Sequence, residues 1–449
     1  MKRLSSLDFL RGVAVFGMTI FHVFGVSQKL EIPSDITELS PFILILGIIV
    51  INFQHWRGFF IMISGVVNTY QMFRAFESGK TRIQILGKQL FSGIILILLG
   101  KLLITYFYFY GIIDNWTRSG GWNRDFLTMF FYFDTIESLG FMMILSGLTF
   151  FFLSYIPKKN ICVIVSFFTL LMLAIVIIIV SPTVHEWVGQ IAGVAISSDT
   201  ELFRSFGYAF DYGISEKTIR IFLNAIGGRE APLFPMWGAF LVGEAISILL
   251  LHTNLRKWML RLVYLPCFLM ILWGVYEFIF LFGIENLNPF FHVFPRWYSF
   301  LSVGTQAMVI ILFLIRIEFN HRINKDRWLR GTKYFRRFGV FALTVYFFQL
   351  LEAGPRLLFG VIFGIETEAR SQLSVIWTII MIITNILLWS GLLYASDRWL
   401  HGVGSWEWIL MVVRNPIKWW KSKRKGLDLH GMLHNVEMIQ FLDGKRTEA

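Results

Sequence analysis

The sequence predicts an all-α, polytopic bundle of about ten transmembrane helices, ten or eleven by the count of apolar runs. Composition is the first reason. Of 449 residues, 56% are hydrophobic, only 16% are charged, and 47 are Phe. Soluble domains carry roughly 25% charged residues. Mean hydropathy is +0.63, so lipid must cover apolar surface that no soluble core would bury. The second reason is the recurrence of apolar runs near the ~20 residues that cross a bilayer. The third is charge placement. Lys and Arg cluster in short segments between the runs, which is how a membrane protein sets its orientation. The net charge of +12 therefore reads as a topology signal, and its placement argues against nucleic acid as a partner.

The runs place spans at about 8–26, 57–75, 86–112, 136–156, 161–181, 234–252, 258–283, 297–317, 337–353 and 374–396. With the N-terminus inside, the cytoplasmic segments hold Lys2 and Arg3, Lys80 and Arg82, Lys158 and Lys159, Arg256 and Lys257. The fifth, 318–336, carries Arg322, Lys325, Arg327, Arg330, Lys333 and Arg336. The positive-inside rule thus puts both ends in the cytoplasm. The apolar stretch 41–53 is short for a span, and whether it crosses or re-enters is open. Residues 1–400 read as one transmembrane domain, with a polar loop at 113–135 and a large outward loop at 182–233. Residues 401–449 read as a basic tail, amphipathic from about Trp406, resting on the inner leaflet. The first apolar run contains Arg11 and His22 and lacks a small-residue cleavage site, so it reads as a retained helix. The two cysteines, Cys162 and Cys267, lie in or beside apolar runs. They suit packing and offer neither a disulfide framework nor metal-ligand spacing.

The first span carries the sharpest chemical pattern. Asp8, Arg11, Val15, Met18 and His22 are spaced three, four, three and four apart, which lines one stripe of a helix. Arg11 and His22 then point the same way, about 16 Å apart along the axis. Asp8 lies one turn before Arg11 and can pair with it. Ionisable side chains at membrane depth are costly and tend to mark function. The plainer reading has Asp8 and Arg11 orienting the helix end and His22 hydrogen-bonded within the bundle. Elsewhere, Lys101 sits mid-span in LLGKLLI, with Glu137 or Glu244 as its candidate partner. Glu277 lies in the seventh span. Arg296 opens the eighth after Pro295, as an anion contact or an interface marker.

Arg11, ten residues, then His22 resembles the Arg-x10-His motif of the transmembrane acyltransferase-3 superfamily, and SLDFLRGVAVFGMTIFH as a whole is similar to its first helix. The superfamily takes in the heparan-alpha-glucosaminide N-acetyltransferase-like proteins and a related bacterial inner-membrane family. Further segments agree: FFIMISG at 59–65, FDTIESLGF at 133–141 with Glu137 near a usual Gln, and PLFPMWGAFLVG at 232–243. FGVFALTVYFFQ at 338–349 and GSWEW at 404–408 resemble late motifs of the bacterial branch. The resemblance implies a multi-pass protein of the plasma or inner membrane. It would transfer an acyl group, acetyl first, from cytoplasmic acyl-CoA to a sugar or glycolipid beyond the membrane, with acyl-CoA as co-substrate and no bound cofactor. Asp8 and Arg11 would organise the donor, and His22 would act as base or acyl carrier. The heparan-type enzymes place their histidine after the first helix, where His55 stands in NFQHWRGFF, so His22 and His55 compete. A transporter or exporter without group transfer is the alternative, with Lys101, Glu244 and Glu277 as its relay. No pair of broken helices is legible in its favour. Whether copies of the chain associate is open.

Overall fold

The computed structural model describes residues 4–27, 56–107, 133–156, 160–192, 214–228, 231–251, 261, 263–282, 295–320, 323–365 and 373–414. The stretch 41–53 and His55 lie outside them. Every regular element among the described residues is a helix. In chain order these are α1 (Ser5–Ser27), α2 (Trp56–Glu77), α3 (Arg82–Phe107), α4 (Thr135–Leu153), α5 (Asn160–Ala192), α6 (Ile214–Gly227), α7 (Leu233–Leu251), α8 (Tyr264–Glu277) and α9 (Arg296–Phe313). They continue as α10 (Lys325–Gly331), α11 (Lys333–Val340), α12 (Ala342–Phe347), α13 (Ala353–Phe363), α14 (Val375–Arg398) and α15 (Trp406–Arg414). Single π-helical turns extend α8 through Phe278–Phe282 and α9 through Leu314–Glu318, and a 3-10 turn, Gln349–Glu352, leads into α13.

The described residues form two compact units. One draws on Met1–Trp56 and Arg316–Gln440, the other on Arg57–Ile315. In the first, α1 packs against α11 and α14. In the second, α3 pairs with α4, α7 with α5, and α8 with α9. Glycines set how closely several of these helices approach, and they do so in reciprocal pairs. A Cβ on Gly12 of α1 would overlap the Phe335 carbonyl of α11, and one on Gly339 of α11 would overlap the Asp8 carbonyl of α1. Gly93 and Gly140 stand in the same relation across α3 and α4, Gly65 and Gly243 across α2 and α7, and Gly274 and Gly304 across α8 and α9. Backbones this close maximise dispersion contact. Lipid tails give no hydrophobic drive for helix association, so membrane bundles depend on such contact.

Among the described residues, eight helices are long and apolar enough to cross a membrane, within residues 5–24, 82–106, 135–153, 163–191, 233–250, 264–281, 296–318 and 376–398. Several carry large apolar side chains on an outward face. On α5, Ile161, Val165, Phe168, Met172, Val176 and Ile179 are exposed at helical spacing, the pattern of a surface that meets hydrocarbon rather than water. The remaining two expected spans differ for physical reasons. Helix α2 is long enough, but Asn68, Thr69, Gln71 and Arg74 lower its hydropathy. Thr69 bonds to Glu244, Asn68 to Ser146 and Arg74 to Glu77, while Ile61, Met62, Ile63 and Val66 have no exposed surface. The run 337–353 is not one helix. It is divided among α11, α12, the 3-10 turn and the start of α13. Helix α5 also runs on through Pro182 to Ala192, so the expected loop 182–233 begins as helix and contains α6, which packs on α5 through the His185 Nδ1 to Gly227 carbonyl contact of 2.9 Å.

Replacing Gly339 by Ala is expected to destabilise the first unit by about 1–3 kcal/mol through overpacking. Gly391→Ala, inside α14 where a Cβ meets open space, should instead stabilise by about 0.5–1 kcal/mol. Thermal unfolding of the detergent-solubilised variants checks the contrast.

Candidate functional site

The stripe on α1 forms as a continuous helix, and each of its polar members acquires a partner. At the helix start, the first N–H groups lack intrahelical acceptors. The Glu318 carboxylate supplies one: it accepts from the Ser6 N–H at 3.0 Å, from the Ser6 hydroxyl at 2.8 Å and from the Ser5 hydroxyl at 3.4 Å. The Trp328 indole N–H donates to Ser5 at 3.2 Å. A carboxylate there also complements the positive end of the helix dipole. Arg11 lies 3.9 Å from Asp8, the expected i,i+3 pair, and Asp8 is buried. The α1 end thus holds two carboxylates to one guanidinium among these three groups. Arg336, expected as a cytoplasmic loop charge, is instead fully buried within α11.

Three turns on, His22 meets a partner that no sequence pattern announces. Its Nδ1 stands 3.9 Å from Glu352 Oε2. The Glu352 side chain is 3% exposed and that of His22 is 33% exposed, so the acid is enclosed while the imidazole remains open. The Thr19 hydroxyl and the Trp389 indole N–H also face Glu352. Gln349 donates to Met18 Sδ at 3.5 Å, which brings the stripe and the 3-10 turn together twice. Arg356, one turn beyond Glu352, is buried as well. A one-third exposed imidazole beside an enclosed carboxylate is the pairing of residue types that general-base chemistry uses.

Glu352 stands where it does because the run before it is interrupted. Between α11 and α12, Phe341 adopts φ −100 and ψ 24, and the backbone ladder stops. The N–H groups of Leu343 and Thr344 turn to Glu407 instead, at 2.6 and 3.1 Å, and the Thr344 hydroxyl donates to the same carboxylate. The Trp406 N–H returns a bond to Thr344 Oγ1 at 3.0 Å, and the Trp406 ring stacks on Phe347 with centroids 4.8 Å apart. Burial pushes the Glu407 carboxyl above its ordinary range, while the bonds from Thr344 and Leu343 favour its ionised form. The two late segments that the resemblance singled out, 338–349 and 404–408, therefore interlock.

The second unit houses the other candidates. Lys101 Nζ lies 3.7 Å from Glu137 Oε1, both buried, and the Phe133 ring faces the ammonium at 5.5 Å. Glu137 also accepts from the Asp134 N–H at 3.3 Å, completing the capping box that starts α4. Glu244 is not the partner of Lys101. The hydroxyls of Ser146 and Thr69 hold it, and Asn68 donates to Ser146 at 3.1 Å. Arg296, read from the sequence as an anion contact or an interface marker, reaches Glu277 at 2.8 Å, and the Trp273 indole N–H joins the same carboxylate at 2.6 Å. Among the described residues, no group of three or more His, Cys, Asp or Glu is placed to hold a metal ion.

The eight apolar helices of spanning length among the described residues fit a multi-pass, all-α membrane protein. No protein-family model matches the chain, and no curated protein matches it at a significant level.

Removing one partner of a buried ion pair strands the other charge, at a cost of about 3–5 kcal/mol. Lys101→Met alone should destabilise by that order. Lys101→Met combined with Glu137→Gln, which removes both charges and keeps an acceptor for the cap, should recover much of the loss. Thermal unfolding of the single and double variants separates this coupling from additive effects.

Proposed function

We propose that this chain is a membrane-bound acyltransferase that moves an acyl group, acetyl first, from acyl-CoA to the hydroxyl or amine of a sugar or glycolipid. The observation that carries the reading is the juxtaposition of His22 and Glu352 at 3.9 Å, on the same helix stripe as Arg11. The ring nitrogen remote from Glu352 takes the proton of the acceptor O–H or N–H as the acceptor attacks the thioester carbonyl. The C–S bond then breaks, the acyl group stays on the acceptor, and CoA leaves as a thiolate that recovers the proton from the imidazolium. Glu352, 3.9 Å from the ring, steadies that imidazolium by its charge. Arg11 lies about 16 Å from His22 along α1, a separation that an extended pantetheine arm bridges. The five donors of Arg11 let it serve Asp8 and a donor phosphate together. Cytoplasmic presentation of the donor, with both chain ends inside, follows from the distribution of Lys and Arg.

The test is release of CoA from acetyl-CoA by the purified protein, with and without a panel of amino sugars. His22→Ala should reduce turnover by about 10²–10⁴-fold, and Glu352→Gln by about 10–100-fold, while His55→Ala retains it. Loss in His55→Ala alone would move the chemistry to the heparan-type position. A wild-type protein that neither binds nor turns over acyl-CoA would end the acyltransferase reading.

The broken run α11–α12 and the buried Lys101–Glu137 pair favour a second reading, transport of a small or lipid-linked molecule without group transfer. Flux into liposomes that Lys101→Met abolishes, with no thioester turnover in the wild type, would select it.

A further inference from the structure

The stretch 333–347 contains no proline, and its one glycine, Gly339, serves the crossing with α1. Nothing in its own sequence demands a break. If the helix continued, the N–H groups of Leu343 and Thr344 would bond to the carbonyls of Gly339 and Val340, four residues back. Instead they bond to a carboxylate more than sixty residues away in sequence. Glu407 thus replaces two intrahelical acceptors at once and acts as an N-cap in trans for α12. Next come the 3-10 turn with Gln349 against Met18 and Glu352 against His22. Closing the break would bring the one intervening residue, Phe341, into a continuous helix and redirect everything after it.

We infer that Glu407 is a positioning residue for the His22–Glu352 site: its carboxylate holds the helix break open at Phe341, and that break sets Gln349 and Glu352 against α1. The catalytic half of this inference rests on the acyltransferase reading, and the structural half does not. Trp406, stacked on Phe347, and the Thr344 hydroxyl, bonded in both directions, keep the carboxylate in register with the break.

The experiment has two arms. In the first, Cys162→Ala and Cys267→Ala remove native thiols, Met18→Cys and Gln349→Cys introduce a pair, and a short bifunctional methanethiosulfonate bridges it in the full-length protein in detergent. Glu407→Ala should slow bridging by about tenfold, the equivalent of one lost hydrogen bond to a charged group, and Glu407→Gln, which keeps an acceptor oxygen, should restore most of it. Thr344→Val, which leaves both N–H caps in place, should give an intermediate rate and serves if Glu407→Ala does not fold. Unchanged bridging in Glu407→Ala, or in Thr344→Val should that variant alone fold, overturns the inference. In the second arm, Glu407→Ala without the added cysteines should lower kcat for CoA release by about tenfold, with KM for acetyl-CoA unchanged. Slowed bridging in a protein whose wild type has no thioester turnover would uphold the positioning of Glu352 while removing the acyltransferase reading. A rise in KM with kcat preserved would overturn the assignment of Glu407 to the histidine site.

Discussion

Backbone N–H groups at helix ends need acceptors, and where protein encloses them water does not supply them. The unit containing α1 meets this demand with two glutamates from distant parts of the chain. Glu318 caps the start of α1, and Glu407 caps the start of α12. Both satisfy donors that no residue nearby in sequence satisfies, and both do so with a carboxylate at the positive end of a helix. The position of Glu352 depends on this, because an interrupted run at 333–352 delivers it to His22 and a continuous helix would carry it elsewhere. One electrostatic requirement thereby links the N-terminal helix, the broken run and the short helix α15.

Reciprocal glycines make the second contribution. Where α1 crosses α11, Gly12 and Gly339 bring the two backbones into contact. That closeness lets Met18 and His22 reach the 3-10 turn with ordinary side-chain lengths. In the other unit the same device operates at three crossings, and the polar groups there are engaged with one another. Lys101 pairs with Glu137, Arg296 with Glu277, and Glu244 with two hydroxyls. Those groups hold helices together. The Arg296–Glu277 pair is as unevenly exposed as His22–Glu352, but an imidazole exchanges protons near neutral pH and a guanidinium does not, and this is what makes the first unit the better candidate for chemistry.

Much of the helical content was legible because apolar runs of spanning length carry a strong signal, and α1, α4, α7 and α14 lie within a few residues of the expected bounds. The α1 stripe was legible for the same reason: helical periodicity relates Asp8, Arg11 and His22 locally. Nothing local relates residue 22 to residue 352, or residue 343 to residue 407, so Glu352 and Glu407 escaped notice as site residues. The run 337–353 read as one span because its break is imposed from outside by Glu407 and leaves no proline to mark it. Helix α5 was cut short because Pro182 and the polar residues after it resemble a loop, whereas a membrane helix tolerates proline where its surroundings satisfy the freed carbonyl. Lys101 found the nearer of its two expected acids, since the start of α4 lies along the C-terminal part of α3, while Glu244 had hydroxyl donors of its own.

The most direct measurement is a structure of the protein with a non-hydrolysable acetyl-CoA analogue bound. Acyl transfer at His22 requires the carbon that stands in for the thioester carbonyl to lie in the space beside the imidazole nitrogen remote from Glu352, with room for an acceptor atom roughly 3–3.5 Å from that carbon. The nucleotide would then sit toward Arg11. An analogue seated against His55, or away from α1 altogether, would contradict the assignment of the chemistry to the His22–Glu352 pair.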